Sequence, residues 1–302
     1  MVRHHVGCRF ALLSCVGLAL TLGASAQDEG KTAKAEAEAE TPLLWGPEAR
    51  VLAASHRVVR GVLHVDVKAV AKAQTKSDYV GVTVEVLEHL VGAVQDKVAF
   101  RTFVRPPKDA EAHTDDLSAA QLLALDGQER IVFLGGPGGV YLAGDDDRQA
   151  VREPDPEFVA RLRRRLRLHA AMLAQPLSID RRSRARVDKV MRRICRDVDH
   201  QRQAFVDLLA LDRADLPALI AVMDDRRALL EQSITLQNRA RDAFEPFRHY
   251  GPKLVVDAVA AVLNQHLGES FGAIYSGGSD TERDACVRGW KVYAHYLARK
   301  PR

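Results

Sequence analysis

The chain has 302 residues, of which 47% are hydrophobic, and its 44 Lys and Arg against 40 Asp and Glu leave a net charge of +4. That apolar content is ordinary for a globular protein, and its length admits two modest domains. Beyond residue 26 no stretch approaches the roughly 20 apolar residues a spanning helix needs, so no transmembrane segment is expected in the mature chain.

Met1 to Arg9 form a short basic lead, Phe10 to Leu22 an apolar run, and Ala24-Ser25-Ala26 a small-residue end. This is the order of a secretory signal peptide, with cleavage expected after Ala26 and a secreted or periplasmic destination. Residues 27–46, in which Lys34 to Glu40 alternate Ala with charge, read as a disordered tether. Period-two alternation follows. Strands are predicted at His56–Val67, with Gly61 a bend or bulge, and at Tyr79–Leu87, Lys97–Val104, Arg130–Leu134 and Val140–Ala143. A short helix is expected within Asp116–Leu125, and a Gly-rich link at 135–139 reads as a hairpin turn. Short strands that hide their edges by closing make a β-barrel over 47–155 the expected solution.

The order "SHRVVRGVLHVDVK", "YVGVTVEVLEHLVG", "KVAFRTFV", "GQERIVFLGG" resembles the netrin/TIMP-like OB barrel of exported proteins. The resemblance implies an OB-like fold over about 55–145. Inhibitors of that family act through an N-terminal Cys pair, which this region lacks, so protease inhibition does not carry over.

From Pro156 the period becomes helical, and residues 156–302 are predicted to form an all-helical domain. Phe158, Leu162 and Leu166 make one stripe, and Val187, Val190, Met191, Ile194 and Val198 another over 182–200. Ala214–Asp225, with Pro217 in its first turn, resembles the second helix of a HEAT-type repeat. Gly251-Pro252 opens a further helix that Gly268 ends, and Ser279 with Glu282 has the capping-box spacing at the start of the last one. The string from Asp242 to Trp290 is similar to the ends of exported bacterial proteins, a likeness that implies no activity.

The chemistry-bearing candidates are few. Cys195 and Cys286 are the only cysteines past the signal, and an oxidising compartment makes them a candidate disulfide. Asp242, Glu245 and His249, at i, i+3 and i+7, with the adjacent Tyr250, would share a face if helical and offer an acid/base or metal-binding group. Pro246 argues against that helix. Arg163, Arg164, Arg182, Arg192 and Arg193 belong to an Arg-rich stretch, 161–202, suited to phosphate or sulfate. Residues 158–211 carry 14 basic and 5 acidic side chains, and residues 47–157 carry 13 and 18, so a solvated face paired with the acidic barrel is the plainer expectation. The absence of aromatic residues among these arginines argues against nucleic acid as a partner. No catalytic signature, cofactor motif or complete metal set is visible. The expectation is therefore an α+β, two-domain exported protein, an OB-like β-barrel followed by a HEAT-like helical domain. It is expected to bind or scaffold without catalysis, its partner a protein or an anionic cell-envelope polymer. A metal-dependent or other hydrolase, and polyanion binding by 161–202, are the alternatives.

Overall fold

The computed structural model describes residues 45–106, 116–136, 141–143, 147–237 and 247–299. Alternating Val, Phe and Thr in the first half produce a six-stranded sheet: β1 (Arg57–Val65), β2 (Asp78–Val91), β3 (Lys97–Val104), β4 (Glu129–Gly135), β5 (Tyr141–Leu142) and β6 (Val151–Arg152). β1 pairs antiparallel with β2 on one side and with β4 on the other. β2 pairs with β3, and the short β5 joins β3 to β4, so the order of pairing returns to β1. Gly61 sits at a register shift of β1, where a Cβ would meet the carbonyl oxygen of Glu85 at 2.3 Å, so only glycine fits this approach.

The strands differ from the sequence expectation mainly at their ends. β1 stops at Val65 because Asp66 caps a helix, α2 (Val67–Ala73), by accepting from the Ala69 amide. Ahead of β1, the residues from Pro47 to Ala54 form α1. The helix expected near 116–125 is α3 (Ala119–Ala124), opened by a capping box between Ser118 and Gln121. A short α4 (Asp147–Ala150) precedes β6.

The second half is mainly helical: α5 (Pro156–Leu173), α6 (Arg181–Arg193), α7 (Val198–Leu209), α8 (Leu216–Val222), α9 (Val255–Leu267) and α10 (Asp280–Arg299). Asp155, Asp180 and Asp197 cap α5, α6 and α7 by accepting from backbone amides in each first turn. The Asp197 cap explains why the helix predicted over 182–200 is two helices, and why Val198, placed on its apolar stripe, is exposed. Gly268, with φ of 66°, ends α9 as expected. Within this half, β7 (Ile234–Gln237) and β8 (Phe247–Tyr250) form an antiparallel pair that the sequence did not suggest.

The fold is thus mixed α and β, with two large apolar cores and a small cluster around Met172 and Val292 among the described residues. One lies within the sheet and includes Leu63, Val82, Phe100, Leu122 and Phe133. The other surrounds α9, whose residues Val255 to Leu263 are all fully buried. The boundary expected at 155/156 does not separate them. Phe158, Val159 and Leu162 of α5 belong to the sheet core, while α1 gives Val51 and Leu52 to that core and Ala53 to the other. Residues 43–302 make one compact unit. Among the described residues, no helix is long and apolar enough to cross a membrane.

Candidate functional site

The outward positions of β2 and β3 carry a strip of side chains that a buried face does not need. Strand alternation turns Val80, Val82 and Val84 inward, so Tyr79, Gly81 and Thr83 face out. On β3 the outward set is Ala99, Arg101 and Phe103. Register places Tyr79 opposite Phe103, Gly81 opposite Arg101 and Thr83 opposite Ala99, and β5 sets Tyr141 beside Arg101.

Three rings gather at one end of this strip. Tyr79 meets Phe103 at 5.1 Å between centroids and Tyr141 at 5.8 Å, both edge-to-face. Tyr79 is 52% exposed, an unusual position for an aromatic residue in a strand with its own core to fill. The Arg105 guanidinium lies 4.8 Å from the Phe103 ring centre and donates to Asp116 at 2.8 Å, which fixes its plane. Arg101 is exposed and has no carboxylate partner among the described residues.

Beyond the rings the strip deepens into a groove of about 720 Å³. His64, Asp66, Thr83 and Arg101 supply its polar rim, and the missing or short side chains of Gly81 and Ala99 leave it open. Gly81 accepts from the Asp66 amide at 3.3 Å, which ties β1 to the same surface. Aromatic faces, one cation and hydroxyl, imidazole and carboxylate groups along one line suit an extended ligand with flat faces and a negative group.

The residues singled out from sequence fare differently. Asp242 and Glu245 lie outside the described residues. His249 is on a strand, not a helix, and its Nδ1 contacts the Thr235 hydroxyl at 2.9 Å. The Tyr250 hydroxyl accepts from Gln265 at 3.1 Å, so the helical face proposed for these residues does not form at His249 and Tyr250. Among the described residues no three His, Cys, Asp or Glu side chains gather as metal ligands. Cys195 and Cys286 are free thiols, which corrects the candidate disulfide. The Cys195 thiol donates to the Ala228 carbonyl at 3.5 Å, whereas Cys286 is wholly buried, and burial pushes its thiol up to about 12.

Much of the Arg-rich stretch is already engaged. Arg163 pairs with Glu88 at 2.5 Å and Arg193 with Asp207 at 2.6 Å. Arg161 and Arg165 both reach Glu48, at 3.6 and 3.5 Å. Arg164, Arg182 and Arg192 are exposed. The pairs to Glu48 and Glu88 join the basic helix to the acidic first half, as the charge segregation anticipated.

Tyr79, Phe103 and Tyr141 belong to no sequence motif, although strand alternation carries their signal. Once Val80, Val82 and Val84 are assigned inward, an aromatic residue at 79 must face water. No protein family, curated protein or solved structure is found to match this chain.

Proposed function

We propose that the chain is an exported, non-enzymatic binding protein whose ligand lies along the outer face of β2, β3 and β5. On this reading the returning strand order is an OB-like barrel of the netrin/TIMP-like kind, with a HEAT-like helical domain attached. It is supported by the pairing of β1 with both β2 and β4 and by β5, which bridges β3 to β4, so that the strand order returns on itself. OB barrels bind oligonucleotides and oligosaccharides on the face of their second and third strands. The basic leader and apolar run at the N-terminus favour export, and outside the cell membrane an oligosaccharide is the more fitting polymer for such a face. The ligand is then an anionic cell-envelope saccharide, its rings against Tyr79, Phe103 and Tyr141 and its charge on Arg101.

The observation that carries this reading is the exposed three-ring cluster beside Arg101. Titration of the purified protein with anionic oligosaccharides, with their neutral counterparts and with oligothymidylate tests it. Tyr79→Ala should weaken anionic saccharide binding about tenfold or more, the usual scale of one lost stacking contact. Arg101→Gln should remove the preference for the charged ligand. Both residues are exposed, so both variants should melt with the parent. Equal binding by parent and variants would refute the site, and tighter binding of oligothymidylate would refute the ligand class.

A further inference from the structure

The junction of α1, α5 and α10 holds buried nitrogen donors that the protein leaves unanswered. Arg165 is 6% exposed and His169, one turn further along the same face of α5, is 8% exposed. The Nε and Nη1 of Arg165 and the Nε2 of His169 are shut off from the surface and have no hydrogen-bond partner among the described residues. So is the Nε2 of His56, just after α1.

The charge at this junction is also unbalanced. Arg165 keeps one contact, Nη2 to Glu48 at 3.5 Å, and Arg161 shares that carboxylate. Arg288 of α10 makes one long contact, Nη2 to the Ser55 carbonyl at 3.5 Å, and its charge acts on both His56 and His169. Of the nearby acids, Glu282 is occupied in capping α10, where it accepts from the Ser279 amide, and Asp284 pairs with Arg226 at 2.6 Å. A buried charge is retained when it is paired and hydrogen-bonded, and an orphaned buried donor is destabilising. A guanidinium fork and an imidazole one turn apart on α5 are thus buried with unanswered nitrogens, and the charge of a second guanidinium acts on the imidazole.

From this arrangement we infer that the α1–α5–α10 junction is a binding site for a small tetrahedral oxyanion, sulfate or phosphate, held by Arg165, His169 and Arg288. Two oxygens accept from Nε and Nη1 of Arg165, the bidentate geometry a guanidinium offers to oxyanions. A third accepts from His169 Nε2, and Arg288 leaves its long contact with Ser55 to complete the shell. The occupant is a free ion and not the end of a larger chain, because these atoms of Arg165 and His169 are closed off from the surface. The site is independent of the saccharide strip, which uses none of these residues.

The experiment compares melting temperatures of the full protein in sodium sulfate, sodium phosphate and sodium chloride at matched ionic strength. It is paired with ion chromatography of whatever the purified protein releases on denaturation. Sulfate strengthens folding generally by exclusion from the surface, so the increment over chloride is read against variants. A specific ion at a hundredfold excess over its dissociation constant should raise the parent's melting temperature by about 5 °C or more. Arg165→Met should lose that increment while melting no lower than the parent in chloride, since it removes an unsatisfied buried charge. Exposed Arg182→Gln should keep the increment. If Arg165→Met does not fold, half-buried Arg288→Gln takes its place in the same comparison. Equal increments in the parent and the junction variants overturn the proposal, as does a parent with neither a released ion nor a gain over chloride.

Discussion

At the scale of single residues, a buried ionisable group is either answered by its neighbours or kept neutral by its burial. Asp257 is fully buried, and it accepts from Arg283 Nε at 2.8 Å, Arg283 Nη2 at 3.1 Å and the amides of Lys253 and Leu254. Removing it would strand the Arg283 guanidinium and uncap α9 at once. Asp257→Ala should therefore destabilise by about 3–5 kcal/mol, measured by urea unfolding, with Asp257→Asn less harmful because it still accepts from the amides. His169 shows the opposite case. Burial, reinforced by the charges of Arg165 and Arg288, pushes its imidazole down to about 4. The unfolded chain, with an ordinary imidazole near 6.5, takes up a proton that the folded protein refuses. The stability associated with neutral His169 is thus fully present above pH 6.5 and is lost as the pH falls toward 4. The loss is about 3 kcal/mol for this one group. In chloride buffer, His169→Leu should flatten the fall in unfolding free energy between pH 7 and 4.5. An unchanged slope would assign the acid sensitivity to other groups.

At the scale of elements, caps and close approaches fix where each helix starts and how near it lies to its neighbour. Gly289 of α10 is such an approach, since a Cβ there would sit 2.6 Å from the Phe271 Cβ and 2.8 Å from the Ala53 carbonyl oxygen. Gly289→Ala should push α10 away from α1 and destabilise by about 1–3 kcal/mol in the same unfolding assay, although alanine is the better helix former. Elements of this kind mark the limit of what the chain makes legible. β3, the Gly268 stop and the Ser279–Glu282 capping box were readable because each depends on residues within a few positions of one another. The β7–β8 pair was not, because its register rests on contacts across a 10-residue separation with no turn signal between matched strands. The break between α6 and α7 was hidden for another reason: the apolar spacing runs through it, and only the Asp197 cap opposes it. The aromatic strip was half legible, since alternation gives its direction while only the register of β3 against β2 brings Phe103 to Tyr79.

At the scale of the whole molecule, the change of period at Pro156 marks a change of secondary structure without separating two folding units. A fragment ending at residue 155 would lose Phe158, Val159 and Leu162 from the sheet core. It would also lose the Arg161 and Arg165 contacts to Glu48 and the Arg163 pair to Glu88. The sequence alone suggests that 47–155 is soluble by itself and associates with 156–302 through salt-sensitive contacts. The shared core gives a different expectation, because burial of three large apolar side chains contributes about 1.5–3 kcal/mol each, a sizeable part of a domain's net stability. The fragment 47–155 should be poorly folded and prone to association, and extension to residue 173 should restore a native-like sheet. For the same reason the full protein should melt in one cooperative transition, with calorimetric and van't Hoff enthalpies in agreement. Two resolved transitions, or a 47–155 fragment as stable as the longer one, would mean that α5 rests on the sheet without holding it together. The Arg161 and Arg163 ion pairs, being partly exposed, contribute little by comparison. Raising the salt should therefore leave the transition single, since it is the apolar contact of α5 with the sheet that makes the two cores unfold together.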